Sequence, residues 1–498
     1  MTDPKKPGST LTLKKKPAAP ANENTGERKR SGARARQVAQ LERVRQQQGE
    51  ANQLKSRPHA QPKGPSASSD TTESRRSPAG SEPSAAPRIT IKTSDRRSVG
   101  PRSVGPRSAR ASETFFVFTP CPSGLEEALM LELQALGFSD VKAGRAGCRL
   151  QTNWTGIQRI NLYSRLATRV LVQVSQAPVQ NEDDILALAY DTEWERWFGA
   201  EHTLRVDTSA IRSPMKSLQY CNLRAKDGIC DRLRDREGSR PDIDTVRPDA
   251  RVHLFLNEDS ATLYLDTSGE SLFKRGWRLD KGEAPIRENL AAGLLALSDW
   301  DPAQALFDPF CGSGTILIEG AWIALGVPPG IWRPFGFERL RNHDARLWRD
   351  LKDDARSHIA TRLDAPLVGV DLNPAAIEAA RQNVERAWLT PDTIRFEVGD
   401  ARTVAPPADN GWIVTNPPYG ERLPEDDPEL WREWAQNLKR QYSGWQVHVI
   451  SSDLDLPQRL RLKPRRRHPL YNGPLDCRLF SFDMVEAGYR RTSSTDSV

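Results

Sequence analysis

The sequence predicts an α/β protein. A mostly parallel, doubly wound sheet fills its second half, preceded by a smaller α+β module and a disordered basic tail. Three observations predict this. Between residues 305 and 416, four short apolar, β-rich runs stop at or within two residues of an acidic or amide side chain: Asp308, Asp371, Asp400 and Asn416. Residues 113–178 read as β-α-β-α-β. Met1–Ser112 contain no aromatic residue and are dominated by Pro, Ser, Gln, Arg and Lys.

Such a tail buries too little apolar surface to offset its ordering entropy, so residues 1–112 are expected to be disordered. They end in a direct repeat, Arg97–Pro101 followed by Arg102–Pro106. The tail carries 24 Lys+Arg against 9 Asp+Glu, a net of +15, whereas the other 386 residues carry 48 against 56, a net of −8. The overall charge of +7 therefore belongs to the tail. It reads either as a basic arm with salt-sensitive affinity for phosphates or as a solvated linker.

At 498 residues there is room for two or three domains. No run of eighteen apolar residues and no secretory h-region is present, which predicts a cytoplasmic setting. Cys121, Cys148, Cys221, Cys230, Cys311 and Cys477 form no C-x-x-C pair and no cluster with the seven histidines, so no metal and no disulfide framework is expected.

Phe115–Phe118 begin an apolar strand, and Leu125, Ala128, Leu129 and Leu133 recur at helical spacing behind Ser123. Cys148–Thr152 reads as strand, Trp154–Leu166 as helix and Arg169–Val174 as strand, giving a ferredoxin-like subdomain over 113–178. A second unit over 179–272 comprises an amphipathic helix Glu182–Phe198, a strand Thr203–Thr208, a helix Ser217–Arg236 and a hairpin of Arg251–Asn257 with Ala261–Thr267. Lys216, Arg224 and Lys226 lie in or beside the second helix. Taken alone they read as a solvated basic face.

Residues 273–490 form the third unit, and 491–498 a disordered tail. After Lys274-Arg-Gly-Trp-Arg278 comes a helix Pro285–Leu295, with Pro285 suited to a first helical position. Ala305–Glu319 is then a strand-turn-helix around Asp308-Pro-Phe-Cys-Gly-Ser-Gly-Thr315, where the glycines allow a ligand close to the backbone. The spacing is neither G-x-G-x-x-G nor a P-loop. Asp308 would repel a pyrophosphate and suits a ligand with a cationic amino-acid end, the requirement for S-adenosylmethionine. Asp371 stands where ribose hydroxyls are gripped, and Asp400-Ala401 suit an adenine amino group. The 63-residue gap from Asp308 to Asp371 predicts a helical insertion, residues 327–366, over the active-site face. Strands Ile394–Val398, Trp412–Thr415 and Gln446–Ser451, a helix Glu429–Tyr442 and a hairpin turning at Asn472-Gly473 complete the unit.

Asn416-Pro417-Pro418-Tyr419 follows the strand at Trp412–Thr415. The two rings fix φ, and neither proline has an N–H, so the carbonyls of Asn416 and Pro417 are free to accept. A rigid pair of acceptors beside an aromatic face suits a flat ring with an exocyclic NH2. A Pro-rich turn is the alternative for the tetrapeptide alone. Cys311, in the glycine turn, reads as a small packed residue rather than a nucleophile.

These strand ends, with Asp308–Thr315 and Asn416–Tyr419, resemble the class I, Rossmann-like methyltransferases that act on exocyclic amines of nucleobases. Cys121–Glu127, Leu218–Asp227 and Leu263–Gly269 resemble the THUMP RNA-binding module with its ferredoxin-like companion. With Lys274–Arg278 and Leu470–Arg478, the whole is similar to the bacterial 23S rRNA guanine-N2 methyltransferase family over about 113–486.

The resemblance implies a mostly parallel seven-stranded sheet and S-adenosyl-L-methionine as methyl donor. It places the cofactor against Asp308, Pro309, Gly312, Gly314, Thr315, Asp371, Asp400, Ala401 and Asn416. Asn416, Pro417 and Tyr419 would carry catalysis, and Lys216, Arg224, Lys226, Lys274, Arg275 and Arg278 would bind RNA. The partner implied is 23S rRNA or a large-subunit assembly intermediate, with no membrane and no obligate protein partner. Some family members carry a second methyltransferase domain, for which the sequence ending at Val498 has no room. The same amine chemistry on a tRNA guanine or DNA adenine, a non-catalytic RNA-binding or assembly factor, and a radical or metal-assisted enzyme are the rival readings.

Overall fold

Alternating apolar residues build the first sheet. The computed structural model describes residues 113–278, 286–418 and 428–485; the predicted tails, Pro285 and Tyr419 lie outside the described residues. β1 (Thr114–Pro120), α1 (Glu126–Ala135), β2 (Lys142–Gly144), β3 (Gly147–Asn153), α2 (Trp154–Tyr163) and β4 (Leu171–Pro178) run β-α-β-β-α-β, the ferredoxin-like order. The strand β2 was not expected. Its three residues are all exposed at the sheet edge, so it has no buried alternation to betray it.

The next strands extend the same sheet. α3 (Glu182–Asp191), β5 (Thr203–Ala210), α4 (Leu218–Glu237), β6 (Asp242–Ile243), β7 (Ala250–Leu256) and β8 (Ser260–Asp266) give the order β2-β3-β1-β4-β8-β7-β5-β6. β4 pairs antiparallel with β8, Leu171 opposite Asp266, so the two predicted modules share one backbone ladder. The helix expected over 182–198 stops at Asp191. Thr192 is extended, its hydroxyl donates to the Leu188 carbonyl, and Trp194–Arg196 form a separate 3-10 turn that buries Trp194. Ser217 caps α4 by accepting from the Tyr220 N–H, and left-handed Gly238 (φ 85°) ends it.

The second sheet is built from α5 (Glu288–Leu297), β9 (Leu306–Asp308), α6 (Thr315–Ala324), α7 (Ala345–Ser357), β10 (Leu367–Asp371), α8 (Pro374–Arg386), β11 (Arg395–Val398), β12 (Trp412–Thr415), α9 (Pro428–Gln441), β13 (Gln446–Ser451), α10 (Leu456–Leu460), β14 (Arg466–Asn472) and β15 (Leu475–Asp483). Its order is β11-β10-β9-β12-β13-β15-β14, with β9 to β13 parallel and the last two antiparallel. From β9 the chain winds first toward β10 and β11, then crosses to β12 and β13. The strand order therefore reverses between β9 and β12, which places a ligand crevice at the carboxyl ends of those two strands.

Residues 327–366 do not lie where the sequence reading put them. α6 runs back from the carboxyl ends of the strands, so the insertion leaves from the opposite edge of the sheet. Its contacts run to the first sheet and its helices as well as to the second unit, where Trp332 packs on Trp322 and stacks on Trp388. Arg333 donates to the carbonyls of Ser268, Glu270 and Ser271, the Phe337 N–H to Thr267, and Arg341 reaches Glu201, Glu237 and the Glu195 carbonyl. The segment braces the module built on the first sheet.

Candidate active site

The crevice gathers four of the predicted strand-end residues. Asp308, at the end of β9, is buried at 2 % exposure. Its Oδ1 accepts from Thr415 Oγ1 at 2.6 Å and from the Phe310 N–H at 3.2 Å. Burial pushes its carboxyl up to about 7, and neighbouring Asp371 adds to the effect. Two hydrogen bonds do not offset that desolvation, so the carboxylate is held in a state that a cation would relieve.

Asp371, at the end of β10, has both oxygens fixed by backbone. Oδ2 accepts from Gly312 N at 2.9 Å and Oδ1 from Asn373 N at 2.9 Å. The Cys311 N–H bonds to the Val370 carbonyl and the Gly399 N–H to the Asp371 carbonyl, so the glycine turn, β10 and the loop after β11 are laced together.

The two glycines of the turn serve different ends. A Cβ on Gly314 (φ 79°) would meet the Phe396 ring at 2.9 Å and Ala380 at 3.2 Å, so this glycine permits packing of turn against sheet. A Cβ on Gly312 (φ 52°) would meet nothing within 4 Å among the described residues, so this glycine borders open space. Asn383 Nδ2 donates to the Ser313 carbonyl and Pro309 is buried beneath the turn. Cys311 is buried, and desolvation with the nearby Asp308 and Asp371 pushes its thiol well up. A thiol so held is a poor nucleophile.

Asp400 is committed more fully than the sequence suggests. Its carboxylate accepts from the Arg402 backbone N–H at 2.9 Å and from the Arg402 guanidinium at 2.6–3.0 Å, which lowers its pKa, and Arg402 also pairs with Glu433. Ala401 is buried, its carbonyl taken by Asn437.

Asn416 follows Thr415 directly. Its Oδ1 is buried and, among the described residues, has no hydrogen-bond partner. An unsatisfied amide oxygen costs about 1–3 kcal/mol, and it persists at the mouth of this crevice. Pro417 is buried and Pro418 half-buried.

Of the residues predicted to bind RNA, Lys216 is exposed, Lys226 lies 3.0 Å from Asp227, Arg224 pairs with Asp183, and Lys274 is exposed and paired with Glu270. Arg275 and Arg278 do not fit that role. Arg275 is 3 % exposed, bonded to Glu319 and to the carbonyls of Leu272 and Arg165. Arg278 has a buried side chain that donates to Thr315 Oγ1 and lies 3.5 Å from Glu288. Both are internal struts, because the helices that follow supply their carboxylates. Thr315, buried at 5 %, is thereby tied to the segment before α5.

Sequence reasoning missed Thr415 and Arg402. Thr415 carried a signal, a polar residue closing an apolar parallel strand. Arg402, two residues from Asp400, carried none that separates it from other surface arginines.

Three family models match the chain: the RlmL ferredoxin-like domain at 117–171, the THUMP domain at 179–266 and the RMKL-like methyltransferase domain at 275–481. A possible methylase from Clostridium difficile 630 is 30% identical with a TM-score of 0.69, over 76% of this chain and 100% of that one. The chain belongs to the RMKL-like methyltransferase family.

Further relatives and solved structures are similar to the chain. SMU.472, crystallised in complex with SAH, is 27% identical with a TM-score of 0.70, over 76% of this chain and 100% of that one. The Ribosomal RNA large subunit methyltransferase K/L of Syntrophotalea carbinolica is 39% identical over 74% of this chain and 53% of its own length. That of Methylococcus capsulatus is 38% identical over 74% and 51%. The chain spans about half the length of these curated relatives. Among the described residues, no helix is long and apolar enough to cross a membrane.

Proposed function

We propose that this chain transfers a methyl group from S-adenosylmethionine to the N2 amine of a guanine in 23S rRNA. The observation that carries the reading is the unpartnered, buried Oδ1 of Asn416 at the switch point of the sheet. An acceptor desolvated and left empty there suits an amine N–H that arrives with the substrate.

The residues present fit the cofactor. The buried Asp308 carboxylate suits an ammonium group, and the two fixed oxygens of Asp371 each keep a lone pair for ribose hydroxyls. The space beside Gly312 admits a ligand against the backbone, and the Asp400-Ala401 segment lines the adenine end. S-adenosylmethionine, when bound, supplies an electrophilic methyl on a sulfonium. Pro309, Gly314 and Thr315 shape the turn that holds it.

A guanine amine is a weak nucleophile because its lone pair is delocalised into the ring. Asn416 Oδ1 and the Pro417 carbonyl accept from its two N–H groups and localise that pair toward the methyl, and Tyr419 stacks on the extruded base. Orientation then supplies much of the acceleration. No strong base is needed, since the amine becomes acidic once methylated. Lys216, Arg224, Lys226 and Lys274 contact RNA phosphates, and 23S rRNA or a large-subunit assembly intermediate in the cytoplasm is the working partner.

The names of the half-matched relatives and the THUMP match support rRNA over other nucleic acids. Transfer of tritium from labelled cofactor to purified 23S rRNA, tRNA and DNA tests it. Label confined to 23S rRNA supports the reading, and label in tRNA or DNA alone refutes it.

A further inference from the structure

The helices of the RNA-binding half are packed on one side of its sheet, against Val117, Leu150, Val172, Val252 and Leu263, all buried. On the other side the part formed by β2, β3 and β1 is exposed, whereas Thr262 and Tyr264 of β8 are buried along its flank. Antiparallel partners point the same way, and a bulge between Gln173 and Ser175 on β4 brings Gln176 onto the same face as Gln173. Phe116 lies opposite Gln151, Phe118 opposite Arg149 and Lys142 opposite Arg149. Across β4, Gln173 lies opposite Tyr264 and Gln176 opposite Thr262; on β7, Phe255 also lies opposite Thr262. Together they line a cleft of about 730 Å³.

The composition of this face is unusual for a solvated sheet. Phe116 is 59% exposed in the middle of the sheet, where alternation ordinarily places a polar residue. Phe118 and Tyr264 lie 6.3 Å apart between ring centroids, and the Arg149 guanidinium sits 5.9 Å over the Phe118 ring. Amide side chains separate the rings: Gln173 Nε2 donates to Gln176 Oε1 at 3.1 Å, and Gln151 is exposed. Lys142 and Arg149, both exposed, border the strip on its β2–β3 side, with Asp140 the one acidic side chain lining the cleft.

Rings and a guanidinium provide π-faces for any base, amides read base edges, and the cations take phosphates. An apolar protein partner would not use the amides or the border cations. We infer that this sheet face binds an unpaired stretch of the RNA substrate by base stacking on Phe116 and Phe118. The inference rests on the reading of the chain as an RNA methyltransferase and adds a second RNA site, separate from the crevice that holds Asn416.

The test uses the full chain and a fluorescent 12-nucleotide single-stranded RNA of mixed sequence, with a duplex of equal length as control. Phe116→Leu should weaken single-strand binding about 10-fold, since a stacked base contributes on the order of 1–3 kcal/mol. Phe116→Tyr should restore it, and duplex binding should move less than about 2-fold in either variant. Phe116 is solvent-facing, so cofactor affinity and melting temperature report an intact fold in both variants. In methyl transfer to rRNA, Phe116→Leu should raise KM with kcat unchanged. Equal single-strand binding by Phe116→Leu and Phe116→Tyr would overturn the inference, because an apolar contact, as to a protein, would then suffice. Equal losses on single strand and duplex would also overturn it. If wild-type protein binds the single strand but methylates no RNA, the proposed function fails while the platform stands; if methylation of rRNA is indifferent to Phe116, the platform fails alone.

Discussion

Thr415 Oγ1 donates to Asp308 Oδ1 at 2.6 Å, joining the ends of the two parallel strands between which the sheet reverses its order. The bond links the carboxylate suited to the cofactor with the residue preceding Asn416. Removing the hydroxyl as Thr415→Val takes away one of two hydrogen bonds to a buried carboxylate and raises its pKa further. Cofactor affinity at pH 7 should fall about 10-fold by calorimetry, with a smaller deficit at pH 9, where Asp308 is ionised in both proteins.

The raised pKa of Asp308 sets a pH dependence of stability. Its folded value of about 7 lies above the unfolded value of 3.8. The folded state therefore holds a proton that the unfolded state has lost, and stability contributed by this group is present below about pH 4 and lost as pH rises through 7. Asp308→Asn should remove that loss. It should raise the melting temperature at pH 8 by several degrees, leave it nearly unchanged at pH 4, and abolish cofactor binding. Differential scanning calorimetry at the two pH values checks the sign.

Gly312 offers a separation of stability from binding. An alanine there adopts φ 52° at a cost of about 1–2 kcal/mol but meets no atom of the described residues within 4 Å. Gly312→Ala should lower the melting temperature by a few degrees while weakening the cofactor 10-fold or more. Gly314→Ala should instead cost stability heavily, because its Cβ would press on Phe396. Thermal melts and titrations of the two variants give the comparison.

Arg275 and Glu319 form a pair with 1% and 0% side-chain exposure. Arg275→Met leaves a buried carboxylate alone and should cost about 3–5 kcal/mol in denaturant unfolding. Arg275→Met with Glu319→Leu should recover most of it. Neither outcome is expected of an RNA-contacting arginine.

Much of the second sheet was legible because parallel strands buried on both faces read as apolar runs, and Leu367–Asp371 and Gln446–Ser451 are observed as expected. The acid-ended strands are also observed in the expected chain order. What sequence could not give was partnership at long range. Lys274-Arg-Gly-Trp-Arg278 looks like a basic patch until Glu319 and Glu288 are found beside two of its arginines. Asp400 looked free until Arg402 was seen folded onto it. The helix expected over 182–198 breaks at Thr192 because Trp194 must turn inward to be buried, a demand of packing rather than of local propensity.

The central claim is that the Asn416 amide oxygen accepts the amine that is methylated. Nucleoside mass spectrometry of 23S rRNA incubated with cofactor and either wild-type protein or Asn416→Ala tests it most directly, with cofactor affinity measured on both. The account predicts N2-methylguanosine from the wild type and a rate at least 100-fold lower from the variant, at cofactor affinity within about 10-fold. N2-methylguanosine formed by Asn416→Ala at the wild-type rate, or a methylated base other than guanine from the wild type, would contradict it.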